Sequence, residues 1–277
     1  MLTGLALLLL VGCVTNDVRF ESASRVPCGS PLCAQPKAPD TISGTLRRPP
    51  GDGPFPALVL LHGCGGGRLQ SRAEWLTSLG YVTLVVDSFS QRRIDNVCFD
   101  AAAYFGGRQA YAKLSVQERA LDAYGGLRYL ADLPYVDRQR IGLVGWSHGG
   151  GAALQAVWLN NEGFYWRRDD PLKFRAVVSY YPNCAKLLAN DDDFYAPTMV
   201  LVGDLDDWST PNACEDLGRA YLGGDLPVDV RIMSGAYHGF DCATCPRRYY
   251  KGHLLEGNPA AARTSRQLVT AFLAKHL

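Results

Sequence analysis

From about residue 41 to the C-terminus, short apolar runs alternate with stretches whose apolar residues recur at helical spacing. The run "PALVLLHG" (56–63) is branched, apolar and stopped by glycine, which predicts a buried strand. A helix is predicted around "SRAEWLTSLG" and a second strand over "YVTLVVDS" (81–88). "SVQERALDAYGGLRYLADL" (115–133) carries apolar residues at helical spacing, and Ser115 with Glu118 forms a capping-box signature at its start. "RIGLVGW" (140–146) reads as a strand that runs directly into a helix, "GGGAALQAVWL". Three more strands are predicted over 174–182, 197–204 and 228–235, with a helix around "PNACEDLGRAYL" between the last two and an amphipathic helix closing the chain. Short strands alternating with helices imply a mostly parallel central sheet covered by helices on both faces. In such sheets reactive residues gather at the carboxyl ends of strands.

The first 40 residues follow another pattern. "LTGLALLLLVGC" is an apolar run too short to span a bilayer comfortably as a helix. Its end, Leu10-Val11-Gly12-Cys13, matches a bacterial lipobox, which predicts a signal peptide over 1–12 and a diacylglycerol on the Cys13 thiol. Val14 stands where an aspartate would favour the inner membrane, so the expected address is the outer membrane, facing the periplasm; the alternatives are an ordinary secretory signal with a secreted protein, or a buried strand. Residues 13–40 are polar and Pro-rich and are expected to be a flexible tether, with 41–277 as the catalytic domain.

Composition narrows the possibilities. A chain of 277 residues, 47% hydrophobic, can bury one large core. A formal net charge of +1 gives no electrostatic reason to expect nucleic acid. Nine cysteines are many for a reducing compartment, and setting Cys13 aside leaves an even number. Eight cysteines allow many pairings and the sequence leaves the connectivity open; Cys28 with Cys33 and Cys242 with Cys245 are near enough to close local loops, and Cys64 with Cys98 and Cys184 with Cys214 is one way to pair the rest. Cys242-Ala-Thr-Cys245 has no matching second ligand pair, so a disulfide is expected there rather than a metal.

The candidate chemistry centres on Gly145-x-Ser147-x-Gly149 between a predicted strand and a predicted helix. That context is the nucleophile elbow, a turn so tight that side chains two before and two after the serine would collide. A plain Gly-rich turn needs no such flanking elements. A serine hydroxyl needs a general base and a group that orients the base. His238, after the last predicted strand, is the candidate base; Asp206 is the first choice for the acid and Asp207 the second. Chain order is then serine, acid, histidine. The backbone N–H groups of His148 and of Cys64, in the Gly-rich "LHGCGGG", are the expected oxyanion donors. That loop lacks the Lys-Ser/Thr ending of a P-loop and the spacing of a dinucleotide fingerprint. Arg92, Arg93 and Trp146 are candidate substrate contacts, and segments 91–114 and 161–170, with Tyr104, Phe105, Phe164 and Trp166, are candidate walls over the site.

Six motifs in order, "LVLLHGCGG", "GYVTLVVDSF", "IGLVGWSHGG", "VSYYPNC", "LVGDLDDW" and "AYHGF", resemble the dienelactone hydrolase family of α/β-hydrolases. The resemblance implies a catalytic set at Ser147, Asp206 and His238 with no metal or organic cofactor. Two features depart from it: the well-known members use a cysteine nucleophile, and they bind a substrate carboxylate with arginines, one soon after the histidine, where this chain has Gly239-Phe240-Asp241-Cys242. The expected activity is therefore hydrolysis of carboxylic esters, with lactones as a further substrate class, through an acyl-enzyme. The rivals are a prolyl-oligopeptidase-like peptidase and a non-catalytic envelope lipoprotein that binds a ligand on the same scaffold.

Overall fold

The computed structural model describes residues 13–23, 38–67, 69–98, 114–158, 171–187, 194–221, 226 and 228–277. Its centre is a sheet of eight strands: β1 (Val14–Glu21), β2 (Thr41–Arg48), β3 (Phe55–Leu61), β4 (Val82–Asp87), β5 (Val136–Trp146), β6 (Val177–Tyr180), β7 (Thr198–Gly203) and β8 (Val228–Met233). Their spatial order is β1-β2-β4-β3-β5-β6-β7-β8. From β4 to β8 all neighbours are parallel; β2 runs antiparallel to β4, and β1 antiparallel to β2. Helices α2 (Val116–Ala131), α3 (His148–Val157) and α4 (Pro211–Ala220) pack on one face, while α1 (Gln70–Ser78) and α5 (Pro259–His276) cover the other.

The parallel strands are apolar on both sides because both sides are covered. Leu58, Leu60 and Val144 point to the face of α1 and α5, and Ala57, Val59, Leu61 and Leu143 point to the opposite face. The Ser115 capping box forms as expected, with Ser115 Oγ accepting from the Glu118 N–H and the Glu118 carboxylate accepting from the Ser115 N–H. Helix α5 begins at Pro259 behind Asn258, whose side chain accepts from the N–H groups of Ala260 and Ala261.

The N-terminal stretch departs from expectation. Over Val14–Glu21 the expected tether is an edge strand, paired along its whole length with β2 from Val14 opposite Arg48 to Glu21 opposite Thr41. The reason lies in a two-residue alternation: Val18 and Phe20 turn to the core, while Thr15 and Asp17 turn outward and bond Arg47 and Thr45 across the strand pair. Beyond β1 the chain docks on α2, where the Ala23 N–H donates to Leu121 O. Gly125 permits that contact, since a Cβ there would lie 2.3 Å from Glu21 O. Cys28 and Cys33 lie outside the described residues. The expected pairs Cys64–Cys98, Cys184–Cys214 and Cys242–Cys245 are all formed. Cys13 is exposed and free. No helix among the described residues is long and apolar enough to cross a membrane.

Candidate active site

The site sits at the carboxyl ends of β5, β7 and β8. Strand β5 ends at Trp146 and α3 begins at His148, so Ser147 alone makes the turn, at φ 55° and ψ −118°. This is a sparsely populated conformation for a residue with a side chain. It survives because the surroundings impose it: the Ser147 N–H donates to Tyr180 O at 2.9 Å, and Ser147 O accepts from the Gly151 N–H at 2.9 Å. The glycines are required by contact. A Cβ at Gly145 would lie 2.1 Å from Gly149 O, and one at Gly149 would lie 2.3 Å from Leu61 O.

His238 follows β8 and is buried. Its Nδ1 is 2.8 Å from Asp206 Oδ2 and its Nε2 is 2.9 Å from Ser147 Oγ. The carboxylate can only accept, so the ring proton sits on Nδ1 and Nε2 is left to accept from the serine hydroxyl. Asp206 is itself fixed, because its Oδ1 accepts from the N–H groups of Trp208 (2.9 Å) and Ser209 (2.7 Å). Of the two candidate acids, Asp206 is thus the one that reaches His238. Asp207 instead accepts from the Leu254 N–H and faces His253 at 3.6 Å, where it pins the hairpin β9 (Arg248–Tyr250) and β10 (His253–Leu255) beside the site.

A cavity of about 660 Å³ opens over Ser147. Its lining includes Cys64, Trp146, Tyr181, Trp208 and Tyr250 and the disulfides Cys64–Cys98 and Cys242–Cys245. The loop after β3 lies close to the serine: a Cβ on Gly63 would be 3.6 Å from Ser147 Cβ. The Cys64–Cys98 bridge, together with the Val97 N–H bond to Cys64 O at 2.8 Å, ties that loop to the segment after β4.

Four side chains beside the site, Arg72, Trp146, Tyr181 and Asp241, meet in a cluster that the sequence motifs did not indicate as a group. Asp241 is buried and accepts from Trp146 Nε1 (2.9 Å), Tyr181 Oη (2.6 Å) and Arg72 Nε and Nη2 (2.5 and 3.0 Å). Burial lowers the Arg72 pKa, but the adjacent Asp241 carboxylate outweighs it and holds the guanidinium above its ordinary value. Burial, reinforced by Asp241, pushes the Tyr181 phenol well up, so it stays a donor. The Tyr181 ring lies 4.5 Å from that of His238, centroid to centroid. Trp146 ends β5, Tyr181 follows β6 and Asp241 lies in the loop after β8, so nothing local in the sequence marks the cluster.

The arginine expectation is corrected. Arg92 is committed to structure: Nη1 and Nη2 each donate to Asp122 at 2.8 Å, Nε donates to Asp40 at 2.9 Å, and Nη1 also reaches Ser88 O. Arg93 is exposed, in a left-handed conformation at φ 54°, and does not line the cavity. Trp146 does line it, though it is buried and stacked on Tyr180. Tyr104, Phe105, Phe164 and Trp166, the proposed wall residues, lie outside the described residues.

A parallel sheet with helices on both faces, a sharp strand-to-helix turn carrying a serine, and a histidine and an acid on later strand ends define an α/β-hydrolase. The sequence pattern of the dienelactone hydrolase family matches residues 42–277, and the chain belongs to that family. The chain is 33% identical over 122 residues to the peroxisomal succinyl-coenzyme A thioesterase of Mus musculus, covering 43% of this chain and 25% of the mouse protein. It is 28% identical over 149 residues to the esterase FrsA of Enterobacter sp. (strain 638), covering 53% of this chain and 33% of the esterase. It therefore spans about a quarter to a third of the length of these curated relatives. Among solved structures, a putative dienelactone hydrolase from Klebsiella pneumoniae superposes with a TM-score of 0.65 at 15% identity, over 94% of this chain and 99% of that one.

Proposed function

We propose that this protein hydrolyses small carboxylic esters through an acyl-enzyme. Ser147 Oγ attacks the ester carbonyl while its proton passes to His238 Nε2, and Asp206 holds the imidazole and the cation that forms. The negative charge on the carbonyl oxygen is received by the N–H groups of His148 and Cys64. Collapse releases the alcohol, which takes the proton from His238; water then repeats the sequence to release the acid. The observation that carries this reading is the Ser147–His238–Asp206 hydrogen-bonded chain, whose serine and histidine line an open cavity. A thioester carbonyl can undergo the same attack, with a thiol leaving in place of the alcohol, and thioesters are the substrate class named for the mouse relative.

The reading extends to location. The disulfides in the described residues suit an oxidising compartment. We propose that Cys13, exposed and free, carries the lipid anchor of an outer-membrane lipoprotein that faces the periplasm. Mass spectrometry of membrane-extracted protein reads the added diacylglycerol directly.

The test of function is turnover of p-nitrophenyl acetate and butyrate by the oxidised domain and by its Ser147→Ala variant. Hydrolysis that disappears in the variant is expected; equal rates in both would remove Ser147 as nucleophile. A peptide p-nitroanilide run alongside separates an esterase from a peptidase, and it should not be cleaved.

A further inference from the structure

Arg119, in the first turns of α2, has no part in the steps above, yet it is the largest fully buried side chain among the described residues. Its Nη1 lies 3.1 Å from His148 Nδ1, its Nε lies 3.4 Å from Ser88 Oγ, and its guanidinium lies over the Phe89 ring at 5.4 Å. Its Nη2 has no hydrogen-bond partner among the described residues. The nearby carboxylate that would neutralise it, Asp122, is occupied by Arg92 through two bonds of 2.8 Å. A buried cation with an unsatisfied donor and, among the described residues, no direct ion pair opposes folding. Burial lowers its pKa to about 10, with Asp122 pulling the other way.

What this cation touches is the elbow. A guanidinium can only donate, so His148 Nδ1 must accept, which leaves the His148 ring neutral with its proton on Nε2. The ring is held from one side by a fixed, fully buried group. His148 is the first residue of α3, and its backbone N–H is the oxyanion donor in the mechanism above. The positive charge also reaches the other half of the oxyanion site: His62, at the root of the loop that carries Cys64, has its pKa lowered by burial and next by Arg119.

We propose that Arg119 is a positioning residue of the oxyanion site. It clamps the His148 ring, thereby aiming the His148 N–H, and it places a positive potential behind the oxygen that becomes negative as Ser147 attacks. No bond to Arg119 forms or breaks, and the proton still travels from Ser147 to His238. In a dry interior such a fixed charge acts more strongly than in water and needs no reorganisation during the reaction. The inference rests on the esterase reading.

The experiment compares wild type, Arg119→Met, Arg119→Lys and Ser147→Ala on p-nitrophenyl butyrate, with thermal melting and the inhibition constant of a boronic acid measured on each. Arg119→Met should lower kcat roughly tenfold to a hundredfold, less than the roughly 10²–10³ for loss of a donor itself. KM should change by less than about threefold, because the charge acts on the transition state and not on the bound ester. Boronic acid affinity should fall in step with kcat, and the melting temperature should hold or rise, since an unsatisfied buried cation has been removed. Arg119→Lys should fall between the two. A merely structural arginine predicts the reverse: melting temperature and activity falling together, with KM and kcat both affected. That outcome overturns the inference, as does an Arg119→Met enzyme with kcat within about twofold of wild type. If Arg119→Met does not fold, His148→Ala reads the same contact from its other end: a lower kcat at unchanged KM supports the clamp, and an unchanged kcat overturns it. Absence of Ser147-dependent turnover in the wild type would be a failure of the esterase reading instead.

Discussion

Adjacent aspartates with nearly the same sequence context have separate tasks here. Asp206 is turned in to His238 by two backbone N–H bonds on its other oxygen, whereas Asp207 faces the hairpin. Asp206→Asn should therefore lower kcat by roughly 10³–10⁴, the loss typical of an imidazole held in the wrong tautomer. Asp207→Asn should leave kcat within a few fold and instead loosen the hairpin, seen as faster amide exchange at Leu254. His62 supplies a pH prediction. Burial first, then the Arg119 charge, lowers its pKa from the ordinary 6.5 to about 3, so the folded protein keeps it neutral. The unfolded chain binds a proton at higher pH than the folded one does, so this contribution is complete above pH 6.5 and is lost as pH falls toward 3. Denaturant unfolding should show a decline of up to about 1.4 kcal/mol per pH unit from this group across that window. In His62→Asn that decline should flatten; an unchanged acid limb would place its cause elsewhere.

At the level of elements, β1 shows how strand and helix constrain each other. A glycine inside an exposed helix normally costs about 1 kcal/mol against alanine. At Gly125 the opposite is expected, because a Cβ would strike Glu21 O at 2.3 Å and Ser22 Cα at 2.8 Å. Gly125→Ala should destabilise the full chain by about 2 kcal/mol or more. In a variant truncated to begin at residue 38 the same substitution should be neutral or stabilising. Equal destabilisation in both backgrounds would mean that β1 does not dock on α2. Two-residue alternation in "VTNDVRFE" was legible, yet its polar content and the Pro-rich stretch after it read as tether. An edge strand needs only one apolar face, and Phe20 with Val18 is enough to supply it.

For the whole molecule, strand direction decides where an anchor would lie. Strand β1 is antiparallel to β2, which is antiparallel to β4, so β1 starts at the end of the sheet where the parallel strands begin. Cys13 immediately precedes it, while Ser147 stands at the opposite end, after β5. A strand of eight residues spans about 26 Å. With Cys13 lipidated, the cavity would open away from the bilayer, and soluble esters should be turned over at the same kcat/KM, within about twofold, by vesicle-bound and free enzyme. Strong inhibition on binding to vesicles would contradict that orientation.

What the sequence determined by itself was whatever depends on neighbours along the chain. The alternation of strands and helices, the Ser115 cap and the elbow at Ser147 are all written in short windows, because periodicity, capping and tight-turn sterics act over a few residues. The local Cys242–Cys245 disulfide was legible from its short loop, whereas the long-range pairs Cys64–Cys98 and Cys184–Cys214 were one choice among several that the sequence left open. The tertiary structure decided what depends on which strand ends meet. It chose Asp206 over Asp207, withdrew Arg92 into a pair with Asp122, gathered Arg72, Trp146 and Tyr181 around Asp241, and brought Arg119 against His148. A guanidinium and a carboxylate attract one another wherever the fold sets them. Their spacing along the chain, 169 residues for Arg72 and Asp241, carries no record of the meeting.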